Sequence, residues 1–177
     1  KGVEATSYAA MVKYTLRALS LRDPAPANVL TESNSVIAHQ LPGGHFITLV
    51  YGLYDDDSGK LLTGVAGHPH PLYYSASKGE ISPVEIGDPA FAIFESYKYS
   101  EAGVELTPGD ILVLYTDGII ELRRDGEFFG EERLGELIIR YSGLRAQEIA
   151  DSIIEDAREF ARGRLTDDIV LMVIKRL

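Results

Sequence analysis

Two apolar runs with acidic residues at opposite ends constrain the fold of this chain most strongly. The first run, Ile111–Thr116, leads into Asp117-Gly118, whereas the acidic pair Asp167-Asp168 leads into the second run, Ile169–Ile174. Runs of this length and composition are typical of buried strands. If the two strands pair antiparallel, the end of one lies beside the start of the other, and the carboxylates converge. Clustered oxygen ligands of this kind suit a hard divalent cation.

Length and composition favour one soluble domain over residues 1–177. With 177 residues and 45% hydrophobic content, the chain is long enough for one well-filled core and short for two. No apolar stretch approaches the roughly 18 residues of a membrane span, and the first residues lack a secretory signal. We therefore expect no membrane segment.

Charge and cysteine content exclude several classes of function. A net charge of -10 opposes binding to nucleic acid, because no basic cluster longer than Arg123-Arg124 compensates for it. The absence of cysteine removes disulfides, zinc–thiolate sites and thiol nucleophiles, and it fits a reducing compartment. We predict a cytoplasmic location and no nucleic-acid partner.

The spacing of apolar residues predicts two helices, several strands, two more helices and a last strand. The predicted helices are Val3–Leu21, about Ala27–Leu41, Glu131–Tyr141 and Ala146–Ala161. The predicted strands are Phe46–Tyr54, Leu61–Ala66, Leu72–Ser75, Ile81–Glu85, Tyr97–Leu106, Asp110–Thr116 and a fully buried strand over 168–175. We expect an antiparallel meander, with the apolar stripe of the last helix lying across a sheet. This segregation indicates an α+β fold rather than a Rossmann fold.

Each acidic motif also has a purely structural interpretation. An Asp-Gly pair after a strand is a common turn, and taken alone Asp117-Gly118 favours that interpretation. Gly118 would let the backbone turn sharply and bring Asp117 to the rim of the sheet. The adjacent carboxylates of Asp167 and Asp168 repel each other unless they are solvated, hydrogen-bonded or neutralised by a cation. For this pair, metal binding is favoured over a loop cap by Asp168 after Thr166.

Other polar patterns carry less information. The run Asp55-Asp56-Asp57 fills a hairpin turn that ends in Ser58-Gly59, so a solvated turn is the interpretation. His68 and His70 would share a face in an extended segment, but a zinc site needs further ligands from the remaining histidines or from carboxylates. A turn with rigid X-Pro geometry is the better interpretation. Phosphate-binding glycine loops and a Gly-x-Ser-x-Gly elbow are absent from the sequence.

A series of short motifs spans essentially the whole chain. They are Phe46–Gly52, Ala66–Pro69, Gly87–Pro89, Leu106–Asp110, Leu114–Glu121, Phe129–Leu134 and Asp167–Ile169. In this order they resemble the SpoIIE/RsbU-like branch of the metal-dependent protein serine/threonine phosphatases, the PPM family with the phosphatase 2C fold. Several motifs in the correct order are more specific than any one of them.

The resemblance implies an α-β-β-α sandwich of two antiparallel sheets flanked by helices, with two Mn²⁺ or Mg²⁺ ions at one edge. In that family the aspartate of the Thr-Asp-Gly motif and the first aspartate of the final pair bind metal. The resemblance therefore makes Asp117 and Asp167 the catalytic, metal-binding residues here. Asp168 is a weaker candidate ligand, and Gly118 would support the site by letting the loop close on it.

The sequence differs from the family pattern at the beginning of the chain. The family's first acidic motif resembles Gly-Asp-Val-Ser-Gly-Lys-Gly, and Lys1-Gly2 matches only its tail. We therefore expect a domain that lacks its first strands, with one metal-binding aspartate four residues before Lys1. Val65 and Ala92 replace the usual Asn and Gly, while Glu121 and His68 match family motifs without a derived role.

The resemblance implies a metal-dependent phosphatase that hydrolyses phosphoserine or phosphothreonine in proteins. Its expected substrate is a small anti-sigma-factor antagonist in bacterial partner switching, and an upstream sensor domain is expected. The alternative is a catalytically silent regulatory or binding domain of the same fold, because residues 1–177 lack the first acidic motif.

Overall fold

The computed structural model describes residues 3–163 and 167–177, which form two compact units. The first unit comprises Lys1–His68 and Glu85–Val104, and the second comprises Pro69–Val84 and Glu105–Leu177. The elements in chain order are α1 (Val3–Ser20), α2 (Pro26–Ala38), β1 (Leu49–Asp55), β2 (Lys60–Ala66), β3 (Leu72–Ser75), β4 (Glu80–Pro83), β5 (Ala102–Glu105), β6 (Ile111–Tyr115), α3 (Asp117–Ile120), β7 (Arg123–Arg124), β8 (Glu127–Phe128), α4 (Gly130–Tyr141), α5 (Ala146–Phe160) and β9 (Leu171–Lys175).

A three-stranded sheet and two helices build the first unit. The sheet has the order β1-β2-β5, and β1 pairs antiparallel with β2 from Leu49↔Ala66 to Asp55↔Lys60. Helix α2 begins at Pro26, whose fixed φ and missing N–H suit the first turn of a helix. Apolar residues of the helices, the sheet and the loops form one core. Its buried members are Val12, Leu30, Ile37, Leu41, Ala66, Phe91 and Tyr99.

A four-stranded sheet with the order β4-β3-β6-β9 forms the centre of the second unit. Strand β3 pairs antiparallel with β4 and β6, and β6 pairs antiparallel with β9. Helix α5 buries Ile149 and Ile153 in the same core as Ile111 and Val113 of β6. The prediction that the amphipathic helix after Ala146 lies across a sheet is therefore confirmed.

The α+β fold class is confirmed, but the predicted meander is wrong. Strand β2 lies between β1 and β5, whereas β3 lies between β4 and β6, so consecutive strands β2 and β3 belong to different sheets. The four predicted helices and the principal strands are present with different ends, and the predicted strand Tyr97–Leu106 is reduced to β5, Ala102–Glu105. Among the described residues, no helix is both long and apolar enough to cross a membrane. The assignment of residues 1–177 to one domain stays a prediction.

Three local features differ from the sequence-based expectations. Helix α3 and the β7–β8 hairpin were not predicted. The final strand was predicted to be fully buried over 168–175, yet β9 begins at Leu171, and Val170 and Met172 are 58% and 57% exposed. Alternate side chains of a strand point to opposite faces. Leu171 and Val173 pack against the core of this unit, so the intervening Met172 faces away from it.

Candidate functional site

Pairing of β6 with β9 brings the two acidic motifs to one rim of the sheet in the second unit. The last paired residues are Tyr115 and Leu171, and the backbone N–H of Thr116 donates to the carbonyl oxygen of Val170 at 3.0 Å. Antiparallel pairing places the residue after Thr116 beside the residues before Val170. The predicted meeting of the two strand ends is confirmed.

Thr116 joins the two strand ends through its side chain. Its hydroxyl Oγ1 accepts a hydrogen bond from the Val170 N–H at 3.0 Å and donates to the carbonyl oxygen of Asp168 at 3.2 Å. Although Thr116 is the N-cap residue of α3, its side chain makes no capping hydrogen bond. The hydroxyl therefore fixes the backbone of Asp168 and Val170, which precede β9, and does not cap the short helix α3.

Gly118 allows the backbone of the two motifs to pack directly together. A Cβ atom at this position would lie 2.5 Å from the carbonyl oxygen of Asp168 and 3.6 Å from the Cβ of Asp167. A contact of 2.5 Å is a steric clash, so glycine is required by space. The sharp Asp117-Gly118 turn expected from the sequence is instead the start of α3, and Gly118 has no positive φ.

The acidic side chains of this rim face solvent. Asp117, Asp167 and Asp168 are all exposed, while Ile119 and Leu122 are fully buried and anchor α3 beneath them. The Asp168 N–H donates to Oδ1 of Asp167 at 2.8 Å. The carboxylate of Asp117 has no hydrogen-bond or ion-pair partner in the described part of the chain. Thr166, which enters the alternative interpretation of the pair, lies outside the described residues, as do Lys1 and Gly2.

The chemistry of the rim fits a hard divalent cation. Carboxylate oxygens are the preferred ligands of such ions, and the contact of Gly118 with residue 168 keeps the two motifs side by side. Residues 3–163 and 167–177 nevertheless contain no group of three or more His, Cys, Asp or Glu side chains arranged to hold a metal ion. The rim therefore supplies the right kind of ligand but only part of a coordination shell.

At the opposite end of β6, Asp110 is a buried structural residue that sequence analysis missed. The carboxylate, 1% exposed, accepts hydrogen bonds from the N–H of Ala76, the hydroxyl of Tyr73, and both the N–H and the hydroxyl of Thr107, all at 2.8 Å. Burial raises the pKa of the Asp110 carboxyl, but these hydrogen bonds outweigh burial and hold the pKa below its usual value. The Thr-Pro-Gly-Asp sequence, a typical turn, was the available signal.

In the first unit, another buried carboxylate, Asp88, joins two of the motifs that carry the family resemblance, Ala66–Pro69 and Gly87–Pro89. It accepts hydrogen bonds from the Ser100 N–H at 2.7 Å and the Tyr97 hydroxyl at 2.9 Å, and the latter bond raises the pKa of Tyr97. Its carbonyl oxygen accepts from the Gly67 N–H at 2.9 Å. Gly67 has φ +60, and a Cβ there would lie 2.8 Å from the Ala90 nitrogen. The backbone segments around residues 67 and 88 are therefore packed together and joined by a hydrogen bond.

The other polar residues considered in the sequence analysis differ in burial and in their position in the fold. His68 and His70 are half-buried, and Glu121 is the exposed C-cap residue of α3. Asp55 accepts hydrogen bonds from the Ser58 hydroxyl at 2.7 Å and from the backbone two residues later at 3.1 Å. The interpretation of the 55–57 run as a hairpin turn is confirmed.

Comparison with known proteins relates the whole chain to one family. The family model described as Stage II sporulation protein E (SpoIIE) matches residues 1–177. The phosphoserine phosphatase RsbU of Bacillus subtilis (strain 168) is 29% identical over 176 residues, which are 99% of this chain and 52% of RsbU. The chain thus spans about half the length of this curated relative.

Two solved structures are similar in fold. The SiaA-PP2C domain of Pseudomonas aeruginosa superimposes with a TM-score of 0.82 at 17% identity, covering 99% of this chain and 70% of that one. The structure of the RsbU and RsbW domains of Rv1364c from Mycobacterium tuberculosis gives a TM-score of 0.78 at 24% identity, covering 99% and 48%. At these identities the similarity shows the fold alone, which is that of the phosphatase 2C domains.

Proposed function

We propose, from the premise that this chain belongs to the SpoIIE family, that it is a metal-dependent protein serine/threonine phosphatase. The observation that carries the proposal is the close packing of Gly118 on Asp168, which keeps the Asp117 and Asp167-Asp168 motifs at one rim. The name of RsbU, a phosphoserine phosphatase, supports phosphoserine as the reacting group.

In this proposal the rim carboxylates have distinct roles. Asp117 and Asp167 are the proposed metal ligands, and Asp168 is a weaker candidate. Two Mn²⁺ or Mg²⁺ ions, when bound, supply positive charge to the phosphoryl oxygens and make a water molecule more acidic. Thr116 and Gly118 hold the two backbone segments together, so the carboxylates keep their spacing.

The proposed substrate is a phosphorylated anti-sigma-factor antagonist. This choice rests on the family resemblance. The net charge of -10 disfavours a polyanionic nucleic acid as an alternative partner. We propose that the reaction takes place in the cytoplasm and that an upstream sensor domain regulates it.

The test compares two neutralising substitutions in the full gene product that contains residues 1–177. We expect Asp117→Asn to reduce Mn²⁺-dependent release of phosphate from a phosphoserine protein about 100-fold or more, because a metal ligand is lost. Asp151→Asn is the matched control, since Asp151 is an exposed residue of α5 whose side chain contacts Gln147. It should keep full activity. Full activity in the Asp117→Asn variant would refute the assignment.

A catalytically silent regulatory domain is the second candidate function. It is favoured by the absence of a three-residue metal-holding group from the described part of the chain. For residues 1–177 alone we expect weak Mn²⁺ binding in calorimetric titration with either candidate, because the rim supplies few ligands, and tight binding of two ions would contradict that expectation. Titration and phosphate release in the full gene product separate the candidates. Tight binding of Mn²⁺ with release of phosphate would contradict the silent domain, whereas no binding and no release would support it.

A further inference from the structure

Helix α5 is followed by an arginine in a conformation that favours glycine. The N–H groups of Arg162 and Gly163 donate to the carbonyl oxygens of Glu159 and Arg158 at 3.0 and 2.9 Å, which are the paired bonds of a Schellman motif. In this motif the residue after the C-cap is left-handed and is usually glycine, yet here it is Arg162, with φ +51. A side chain in this conformation costs free energy that glycine does not. The arginine is therefore explained by what its side chain contacts.

The side chain of Arg162 pairs with the tip of the β7–β8 hairpin. Its guanidinium donates to both carboxylate oxygens of Asp125, at 2.9 and 3.3 Å, and such a bidentate pair fixes direction as well as distance. Asp125 and Gly126 have φ values of +53 and +91, the left-handed conformations that suit a two-residue hairpin turn. The ion pair therefore ties the chain after α5 to a turn of defined shape.

The base of the same hairpin packs against the end of α5. The ring centres of Phe129 and Phe160 lie 5.4 Å apart in an edge-to-face arrangement, and both residues are buried. The N–H of Phe129 donates to the carbonyl oxygen of Leu122 at 2.8 Å, so the hairpin closes beside this contact. Phe160 thus anchors the end of the helix, whereas Arg162 anchors the chain two residues beyond it.

The hairpin segment is connected to the acidic rim on one side. Asp117 lies eight positions before Asp125, and the fully buried residues Ile119 and Leu122 hold the intervening chain in the core. The N–H of Glu121 donates to the carbonyl oxygen of Asp117 at 2.9 Å and closes one helical turn. Asp117 and the hairpin therefore belong to one anchored segment.

The chain after α5 is connected to the rim on the other side. Asp167 follows Gly163 by four positions, so their Cα atoms are at most about 14 Å apart. At the rim, the close contact of Gly118 with Asp168 brings this segment back to the first one. The ion pair at the hairpin tip and the contact at the rim therefore join the same two segments at both ends.

We propose that Asp125 and Arg162 are a positioning pair, which sets how closely the carboxylate of Asp167 approaches that of Asp117. The inference rests on the proposed function and adds two residues that are not themselves metal ligands. The side chains of Arg162 and Asp125 are 68% and 70% exposed, and an exposed ion pair contributes little to stability. Stability alone therefore does not explain an arginine in a left-handed conformation.

The test measures Mn²⁺ binding by calorimetry in the full gene product that contains residues 1–177. Arg162→Gly removes the ion pair and relieves the left-handed conformation. Asp125→Asn removes the negative charge with a residue that the hairpin turn accepts. Arg140→Gln is the control, because Arg140 of α4 forms an ion pair with Asp156 of α5 at 3.6 Å.

We expect each of the two variants to weaken Mn²⁺ binding about fivefold, which is less than the loss of a direct partner of a metal ligand. The double variant should bind no more weakly than either single variant, because residues that act as a unit do not give additive losses. Arg162→Lys keeps the charge without the bidentate fork and should lose less. The control should bind as the original protein does.

The direction of the changes separates positioning from charge and from stability. A long-range charge effect would strengthen Mn²⁺ binding in Arg162→Gly and weaken it in Asp125→Asn, since the two variants remove opposite charges. A purely structural role would lower the thermal unfolding midpoint of Arg162→Gly, whereas we expect the midpoint to stay equal or to rise. Opposite shifts in affinity, an unchanged affinity or a lowered midpoint in Arg162→Gly would each overturn the proposal.

A metal-free measurement distinguishes failure of this inference from failure of the proposed function. The Val170 N–H donates to Oγ1 of Thr116 across the rim, so hydrogen exchange of this amide reports on the joining of the two segments without Mn²⁺. We expect faster exchange in Arg162→Gly and Asp125→Asn than in the control. An original protein that binds no Mn²⁺ would refute the proposed function, whereas equal exchange in the variants and the control would overturn the positioning pair.

Discussion

The two ends of β6 use aspartate in opposite ways. Asp110, just before the strand, is buried and accepts four hydrogen bonds from three residues. Asp117, just after the strand, is exposed, and no described residue pairs with its carboxylate. The same type of side chain, seven positions apart at the two ends of β6, thus stabilises a loop at one end and faces solvent at the other.

The comparison shows how to separate structural from functional acids in this unit. A buried carboxylate is stable only when donors surround it, so Asp110 has its partners within the fold. An exposed carboxylate without internal donors adds little to stability and remains available to an external cation. We therefore expect mutations at the two ends of β6 to affect different properties.

The largest effect on stability is expected from Asp110→Ala. The substitution leaves the N–H groups of Ala76 and Thr107 and the hydroxyl of Tyr73 without their acceptor, which we expect to cost about 3 kcal/mol of unfolding free energy. Urea denaturation measures the change. Asp117→Ala is the matched control and should leave the denaturation midpoint almost unchanged. Equal losses in the two variants would remove the contrast between the ends of β6.

The next effect is expected from Gly118→Ala at the rim. The new Cβ would lie 2.5 Å from the Asp168 carbonyl oxygen, so the two segments must separate, at a cost of about 2 kcal/mol. In Gly143→Ala, the control, the added Cβ meets nothing within 4 Å and φ is not positive. Thermal unfolding should show a lower midpoint only for the first variant. A stable Gly118→Ala protein would mean that the rim tolerates separation of its acids.

A smaller effect is expected from Thr116→Val, which keeps the shape of the side chain. It removes the acceptor of the Val170 N–H and the donor to the Asp168 carbonyl oxygen, with an expected loss of about 1 kcal/mol. Thr116→Ser retains the hydroxyl and should lose less. Hydrogen exchange of the Val170 amide is the direct measurement. If both variants exchange alike, the hydroxyl is not what joins the strand ends.

The smallest effect is a dependence of stability on pH. Because its folded-state pKa is lowered, ionised Asp110 contributes stability that is complete above the ordinary pKa of 3.8 and is lost as the pH falls through the folded value. Burial raises the pKa of its neighbour Tyr73, which therefore stays protonated in this range. The difference in unfolding free energy between the original protein and Asp110→Asn should shrink from about pH 4 to about pH 2. A difference that is constant with pH would contradict the lowered pKa.

Elements with a strong period were predictable from the sequence. Helices α4 and α5 carry apolar stripes, and the buried residues Leu134, Ile138, Ile149 and Ile153 lie on them. Helix α3 was not predictable, because Asp117-Gly118 has the composition of a turn and four residues show no helical period. The family resemblance predicted two antiparallel sheets, but which strand belongs to which sheet escaped prediction, since it depends on pairings between residues distant in the chain.

The candidate site was predictable only in outline. Two apolar runs with acids at opposite ends indicated the meeting of Asp117 with the 167–168 pair. The hydroxyl of Thr116 and the space requirement of Gly118 were not visible, because both depend on the register between β6 and β9. The roles of Asp88 and Asp110 depend on loop donors whose positions the sequence does not specify.

The pairing of β6 with β9 also has a consequence for the order of folding. Tyr115 and Leu171 are neighbours in the sheet although α3, a hairpin and two helices separate them along the chain. Contacts of such high sequence separation form late, because loop closure must precede them. During synthesis, β9 must therefore leave the ribosome before the two acidic motifs can meet, so α4 and α5 emerge before the rim can form.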